Sequence, residues 1–382
     1  MQDRDRVANV VARLKLLPGL DEATYLRLLH ELDISGERAG LRAEGLVRVT
    51  LFDTKARDVE SFDGANRGRF LLHYVRAALS LDTARAAEGS RAACIFVNDT
   101  CDASVVERLA DLGVELIALR CAGFNNVDVQ ACARLGIQVV RVPAYSPYAV
   151  AEFTIALMMM LNRRIHHAYA RNRTGNFVLD GLIGFDMHGK TVGVVGTGKI
   201  GQCVVEILLG FGCRVLAYDK FPHPPLMSRP GVEYVELPRL FAESDIITLH
   251  IPLFPDTHYL INREAISQMK PGVMLVNTSR GGLIDSRALI EGLKSSKIGS
   301  AALDVYEEEA GIFFHDMSDK VLTDDVLARL MTFNNVIVTS HQAFLTREAL
   351  ANIADTTLAN IEDFIQGKRG KELPNAVLPA TV

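Results

Sequence analysis

Three side chains in the second half of the chain have the types needed to hold a carboxylate and hand over a proton. Arg280 lies in Val-Asn-Thr-Ser-Arg-Gly-Gly, Glu309 in Asp-Val-Tyr-Glu-Glu-Glu and His341 in Val-Thr-Ser-His-Gln-Ala-Phe. Each stands at or just past the end of an expected strand, and in open α/β sheets ligands bind outside the carboxyl ends of the strands. The arginine fork suits bidentate capture of a carboxylate, and a histidine paired with a carboxylate suits a proton donor near neutral pH. Each also has a plainer reading. Arg280 alone would pass for a surface ion-pair partner, Glu309 for one member of a solvated acidic run, and His341 for a capping residue. Spacing alone leaves both readings open.

A second group supplies a binding chemistry. An apolar run, Val192 to Val195, meets Gly196-x-Gly198-x-x-Gly201, a helical pattern follows, and a second run, Arg214 to Tyr218, ends in Asp219. Gly196 permits the tight turn, Gly198 lets the backbone approach a pyrophosphate, and Gly201 lets the helix pack closely on its strand. Free N–H groups and the dipole at the helix start attract phosphates. Asp219 falls where a carboxylate takes ribose hydroxyls and repels a 2′-phosphate, which favours NAD over NADP. Lys220 next to it softens that preference. A lone glycine motif is weak evidence; strand, helix, second strand and acid at the right spacing are strong.

These residues need a frame to place them. From Val47 onward strand and helix patterns alternate, which predicts parallel sheets with helices on both faces. Strands are expected at Val47 to Phe52, Ala93 to Val97, Leu116 to Leu119, Gln138 to Val142, Ile246 to His250, Met274 to Asn277, Ser300 to Val305 and Val336 to Thr339. Between Ala56 and Gly89 one helix is expected, Arg69 to Leu79. Pro143 to Pro147 reads as a hinge, followed by one long helix from Ala149 to about Arg171. The last helix, Arg347 to Ile365, comes too late for the second sheet and is expected to return to the first. Ahead of all this, residues 1–46 show helical spacing at Val7, Val10, Val11, Leu14 and Leu17 and again at Leu26 to Leu32. They read as a helical arm that lies on its own subunit or joins subunits.

At 382 residues the chain has room for about two domains. Its net charge of −5 suggests neither a nucleic-acid nor a membrane-surface partner. Six cysteines without a C-x-x-C pair read as reduced thiols in a cytoplasmic protein. No signal core and no spanning run stand out, and no His/Cys/Asp/Glu spacing suggests a metal site.

The segments Arg120-Cys-Ala-Gly123-Phe-Asn-Asn126-Val-Asp128, Val142-Pro-Ala-Tyr145-Ser-Pro, Val194 to Gly201, Asn277-Thr-Ser-Arg280-Gly, Asp304 to Glu309 and His341-Gln-Ala-Phe344-Leu-Thr together resemble the D-isomer-specific 2-hydroxyacid dehydrogenase family. They are most similar to its fermentative, NAD-dependent D-lactate dehydrogenase branch. The resemblance runs in order from about Val47 to the C-terminus and says nothing of residues 1–46.

That resemblance implies an α/β protein of two Rossmann-like, doubly wound parallel-sheet domains with a cleft between them, plus an N-terminal helical extension. The substrate domain would be 47–147 with 342–382, and the NAD-binding domain 148–341. It implies that Arg280 binds the carboxylate of a 2-oxo acid, that His341 donates the proton as hydride arrives, and that Glu309 partners His341. Backbone N–H groups at Ala122 and Gly123, with Tyr145 and Phe344, would contact the small-molecule substrate. Lys199, Ile200, Asp219, Ile251, Pro252, Thr257, Thr278, Ser279 and Asp304 would fall on cofactor contacts beside the three glycines. Pyruvate is the expected substrate, with a larger 2-oxo acid such as phenylpyruvate as the alternative. Another alternative is an NADH-sensing binding protein like the corepressors that share this fold. The resemblance also implies a homo-oligomer, dimer or tetramer.

Overall fold

The computed structural model describes residues 46–309 and 311–379. The helical arm expected over residues 1–46 therefore lies, apart from Leu46, outside the described residues. The chain divides between Tyr145 and Ser146 and again between Ala349 and Leu350, giving one unit made of two sequence segments and one that is continuous.

In the first unit β1 (Val47–Leu51), β2 (Phe70–Tyr74), β3 (Ala92–Ile95), β4 (Leu116–Leu119) and β5 (Gln138–Val140) form a parallel sheet in the order β2-β1-β3-β4-β5. The central strands β3 and β4 are buried at every position, as expected when helices cover both faces. One face packs on α2 (Ala103–Asp111) and α3 (Val129–Arg134) through Val105, Val106, Leu109 and Ala131. On the other face Ala354, Leu358, Ile361 and Phe364 of the last helix, Arg347–Ile365, join Val49, Leu51, Cys94 and Ala118 in one core.

The helix expected over Arg69 to Leu79 is not there. Instead α1 (Ala56–Asn66) buries Val59, Phe62 and Ala65, and β2 follows. The helix stops because Arg67 and Gly68 both turn to positive φ. The Asn66 side chain then clasps Phe70 by accepting from its N–H at 3.0 Å and donating to its carbonyl at 2.9 Å. β2 is an edge strand with only Phe70 fully buried, so it lacks the two-residue alternation that would have marked it.

In the second unit β6 (Thr191–Val195), β7 (Arg214–Tyr218), β8 (Val232–Tyr234), β9 (Ile246–Leu249), β10 (Val273–Asn277), β11 (Ile298–Leu303) and β12 (Val336–Val338) form an all-parallel sheet. Its order is β12-β11-β10-β9-β6-β7-β8, so the winding reverses between β6 and β9. Loops leaving those two strands run in opposite directions and leave a crevice at their carboxyl ends. The expected long helix is two helices. Ser146 Oγ accepts from Ala149 N at 3.2 Å and Pro147 opens α4 (Pro147–Asn162), while α5 (Ile165–Arg173) starts after Arg164 at φ +48°. The break falls where Asn162 turns inward to bond both the N–H and the carbonyl of Phe185 at 2.8 Å. α4 buries nine of its residues and α5 none, so one is a core element and the other a surface one.

Candidate active site

The glycine loop behaves as its sequence requires. Gly196 has φ +99°, and a Cβ there would lie 2.5 Å from the His250 carbonyl oxygen; one on Gly201 would lie 2.0 Å from the Gly196 oxygen. Neither position accepts a side chain. Gly198 differs: φ is ordinary and nothing lies within 4 Å of where its Cβ would be. A side chain there would meet no part of the protein. Gly198 caps α6 (Lys199–Gly210) with no side-chain bond, so the first-turn N–H groups are presented as an anion site. These features fit a dinucleotide pyrophosphate.

Asp219 follows β7. Its Oδ2 accepts from Thr197 N at 2.6 Å and from Thr197 Oγ1 at 3.1 Å, and its Oδ1 accepts from Phe221 N at 2.9 Å. Ile251, Pro252 and Thr257 lie in the loop leaving β9, the other side of the winding reversal. The Thr257 hydroxyl closes that loop by bonding the Pro252 carbonyl at 2.9 Å and the Phe254 N–H at 2.7 Å. Thr278 is buried after β10, its hydroxyl 2.8 Å from that of Thr154 on α4.

His250, the residue after β9, is half-buried, with its ring Nδ1 shut off from solvent. Its Nε2 meets Thr248 Oγ1 at 2.9 Å, and desolvation pulls its pKa down to about 3. The neutral ring is packing.

Arg280 sits three residues past β10 on a turn that the sequence reading left unexplained. Asn277, fully buried, accepts from Ser279 N at 3.0 Å and donates to the Arg280 carbonyl at 2.8 Å. This side-chain clasp is the usual work of an asparagine at a strand exit. Arg280 Nη1 bonds its neighbour's carbonyl, that of Ser279, at 2.7 Å.

His341 and Glu309, thirty-two residues apart in sequence, meet: His341 Nδ1 lies 2.9 Å from Glu309 Oε1. The Nδ1 nitrogen therefore donates to the carboxylate, and Nε2 is the nitrogen left to exchange a proton. Glu309 is itself held by Tyr306 N at 3.2 Å. His341 adopts φ +52°, unusual for a residue with a Cβ. Asp304 holds it there. The buried Asp304 carboxylate accepts from Thr339 Oγ1 at 2.6 Å and from Gln342 N and Ala343 N at 2.9 Å, while its carbonyl accepts from His341 N at 2.7 Å. Asp304 thus presents the histidine. Phe314 lies 6.1 Å from the imidazole, ring centre to ring centre.

Ala122, Gly123 and Tyr145 belong to the first unit. Ala122 and Gly123 leave the end of β4, where Arg141 Nη1 donates to the Ala122 carbonyl at 2.8 Å and Cys121 Sγ to the Gly123 carbonyl at 3.3 Å. The Tyr145 carbonyl accepts from Asn352 at 2.6 Å. Phe344 is buried just past the His341 turn.

A sheet wound in this order, with a phosphate-ready helix start and an imidazole–carboxylate pair at its strand ends, defines a dinucleotide-dependent enzyme. The comparisons say which kind. The family model described as "D-isomer specific 2-hydroxyacid dehydrogenase, NAD binding domain" matches residues 155–343. A Haemophilus influenzae protein named 2-hydroxyacid dehydrogenase homolog is 54% identical over 87% of this chain and all of its own. The D-lactate dehydrogenase of Escherichia coli is 52% identical, again over 87% of this chain and all of its own. A solved structure described as the pyruvate reductase of Chlamydomonas reinhardtii superposes with a TM-score of 0.82 at 48% identity, covering 86% of this chain and 98% of the other. The chain belongs to the D-isomer-specific 2-hydroxyacid dehydrogenase family and is an NAD-dependent oxidoreductase.

Among the described residues no helix is long and apolar enough to cross a membrane.

Proposed function

We propose that this enzyme reduces pyruvate to D-lactate with NADH, reversibly, and that Arg280, Glu309 and His341 carry the reaction. The observation that supports the assignment most directly is the 2.9 Å pair between His341 Nδ1 and Glu309 Oε1 in the unit that carries the glycine loop. NADH, when bound, supplies the hydride. Arg280 presents its fork to the substrate carboxylate, which a lysine could not match. His341 Nε2 gives its proton to the carbonyl oxygen, and Glu309 steadies the imidazole through Nδ1. Backbone N–H groups of Ala122 and Gly123, with Tyr145 and Phe344, contact substrate. Gly196, Gly198, Gly201, Lys199, Ile200, Asp219, Ile251, Pro252, Thr257, Thr278 and Ser279 surround the cofactor, and Asp304 acts there by holding the His341 turn.

The test is NADH consumption with pyruvate and with phenylpyruvate, with chiral analysis of the product. D-Lactate and a higher kcat/KM for pyruvate are expected; a preference for phenylpyruvate moves the assignment to a larger 2-oxo acid. Arg280→Lys lowers kcat/KM by about 100-fold or more, since a charge-assisted pair contributes about 1.5–3 kcal/mol before geometry is counted. An unchanged kcat/KM removes Arg280 from the reading.

We also propose a homo-oligomer in the cytoplasm. Ile165, Tyr169, Phe177, Leu179 and Ile183 are half or more exposed within one short stretch, an apolar surface of the kind that a second copy covers. The six cysteines are free, five of them buried, which suits a reducing compartment. Measuring mass in solution, and again after Leu179→Glu with Ile183→Glu, tests the assembly.

A further inference from the structure

The carboxyl ends of β6, β7 and β8 lie side by side, with Val195 opposite Tyr218 and Ala217 opposite Tyr234 in register. A directional chain of hydrogen bonds crosses those ends. His223 N donates to the Tyr234 hydroxyl at 3.1 Å, Tyr234 donates to Thr197 Oγ1 at 2.8 Å, and Thr197 Oγ1 donates to Asp219 Oδ2 at 3.1 Å. Thr197 is the residue between the first two glycines of the loop, and it is 2% exposed, so water does not stand in for its partners. Thr197 also binds the same Asp219 oxygen through its N–H, at 2.6 Å.

We propose that Thr197 and Tyr234 are positioning residues that set the preference for NADH over NADPH by fixing the Asp219 carboxylate. The inference rests on the reading of Asp219 as the ribose acceptor. Three donors hold the carboxylate from the protein side, two on Oδ2 and one on Oδ1. Oδ1 keeps acceptor capacity, which is what a ribose hydroxyl needs. A fixed carboxylate cannot swing away from an incoming 2′-phosphate, so it discriminates by repulsion as well as by attraction. Each bond in the chain polarises the next towards the charge at its end, so loss of the far hydroxyl is felt at Asp219. Lys220, next in sequence, is ion-paired with Asp256 at the surface.

The test is calorimetric titration of NADH and NADPH into the intact protein, with the melting temperature of each variant measured alongside. Thr197→Val removes the relay but keeps the volume and the backbone N–H, and should raise Kd for NADH about tenfold. Tyr234→Phe, one bond further away, should raise it about threefold. In both, Kd for NADPH stays level or falls, so the NADPH/NADH ratio of Kd drops by at least the same factors. Thr197→Ser, which restores the hydroxyl, should restore the ratio. Asp219→Asn is the reference, with a larger drop. If Thr197→Val and Tyr234→Phe keep the wild-type ratio while Asp219→Asn loses it, the relay is overturned and the Asp219 reading stands. A parallel rise of both Kd values, with the ratio unchanged, likewise overturns the relay, because it marks a merely structural role. If Asp219→Asn keeps the ratio, both fall.

Discussion

The two units are doubly wound sheets of related design, yet they spend the same place in the fold in opposite ways. After β6 the first turn is opened by glycine: Gly196 at φ +99°, Gly198 with nothing near its missing Cβ, and first-turn N–H groups with no capping side chain. After β1 the corresponding turn is Phe52-Asp53-Thr54-Lys55, and it is filled. Its three polar N–H groups are used, by the Ala77 and Val75 carbonyls and by Asp58 Oδ2 at 2.8 Å. Asp53 takes φ +47° without being glycine. The buried Arg120 binds the Asp53 carbonyl through Nη2 at 2.8 Å, lies 3.8 Å from Asp58 Oδ1 and covers the Phe96 ring at 5.0 Å. Topology fixes where strand ends gather; the residues at the first turn decide whether a phosphate fits there. Only the second unit keeps the space.

The sharpest way to break this contrast is Arg120→Met. It removes a buried cation that faces Asp53, Asp58 and Asp99, and uncompensated buried charge costs about 3–5 kcal/mol. Stability of the first unit, followed by urea titration with hydrogen exchange, should fall by about that amount while exchange in β6 to β12 is unchanged. An equal loss in both units defeats the idea of separate bracing.

Glycine substitutions probe the other side. Gly198→Val adds a side chain where the protein has only space, so the melting temperature should hold within a few degrees while Kd for NADH rises about 100-fold. That factor corresponds to roughly 2.7 kcal/mol of lost binding. Gly201→Ala reverses the signature. Its Cβ would press on the Gly196 oxygen, and overpacking of this kind costs about 1–3 kcal/mol of stability before any ligand is added. If both variants lose stability alike, the space at Gly198 is not reserved for the cofactor.

What was legible in the chain follows from locality. The strand, glycine loop, helix and Asp219 could be read because each part signals within thirty residues. The last helix was placed at Arg347 to Ile365, as found, because its apolar positions recur with the helical period. β2 carries no strand signal because only its first residue is buried, and the α4 break carries none because Asn162 finds its partner twenty-three residues later at Phe185. At the proposed site, residue types and strand ends left two readings open for Arg280, Glu309 and His341, and the family resemblance chose between them. Neither signal pointed to the residues that hold the turns there or the Asp219 carboxylate. Asp304, Thr197 and Tyr234 bond partners that only the folded sheet brings near, such as Tyr234 and Thr197, thirty-seven apart, whereas Asn277 bonds its own neighbours Ser279 and Arg280. A polar residue at the last position of a strand or within two residues past it is the signal that was there to be used.

Acid should separate the two units, because each holds a titratable group that desolvation shifts strongly near its strand ends, and the two shifts have opposite consequences. Burial pushes the Asp99 carboxyl up to about 6, against the pull of Arg120 and of the Phe96 and Leu79 N–H groups. The folded state then binds this proton more readily than the unfolded chain, so its contribution to stability is full below about pH 4 and lost as pH rises through 6. His250 runs the other way. Desolvation holds it near 3, so below its ordinary value of about 6.5 the unfolded chain takes up a proton that the folded one refuses. Its contribution is full above 6.5 and lost as pH falls towards 3. Between pH 7 and 5 the second unit should lose roughly 2 kcal/mol from His250, while the first gains roughly 1–1.5 kcal/mol from Asp99. Native-state hydrogen exchange at the two pH values, read separately in β3–β4 and β6–β9, should show the stabilities moving apart. His250→Gln, which keeps a bond to Thr248 within reach, should flatten the response of the second unit and leave the first as it was. If acid weakens both units equally in the wild type, these two groups do not govern their response to acid.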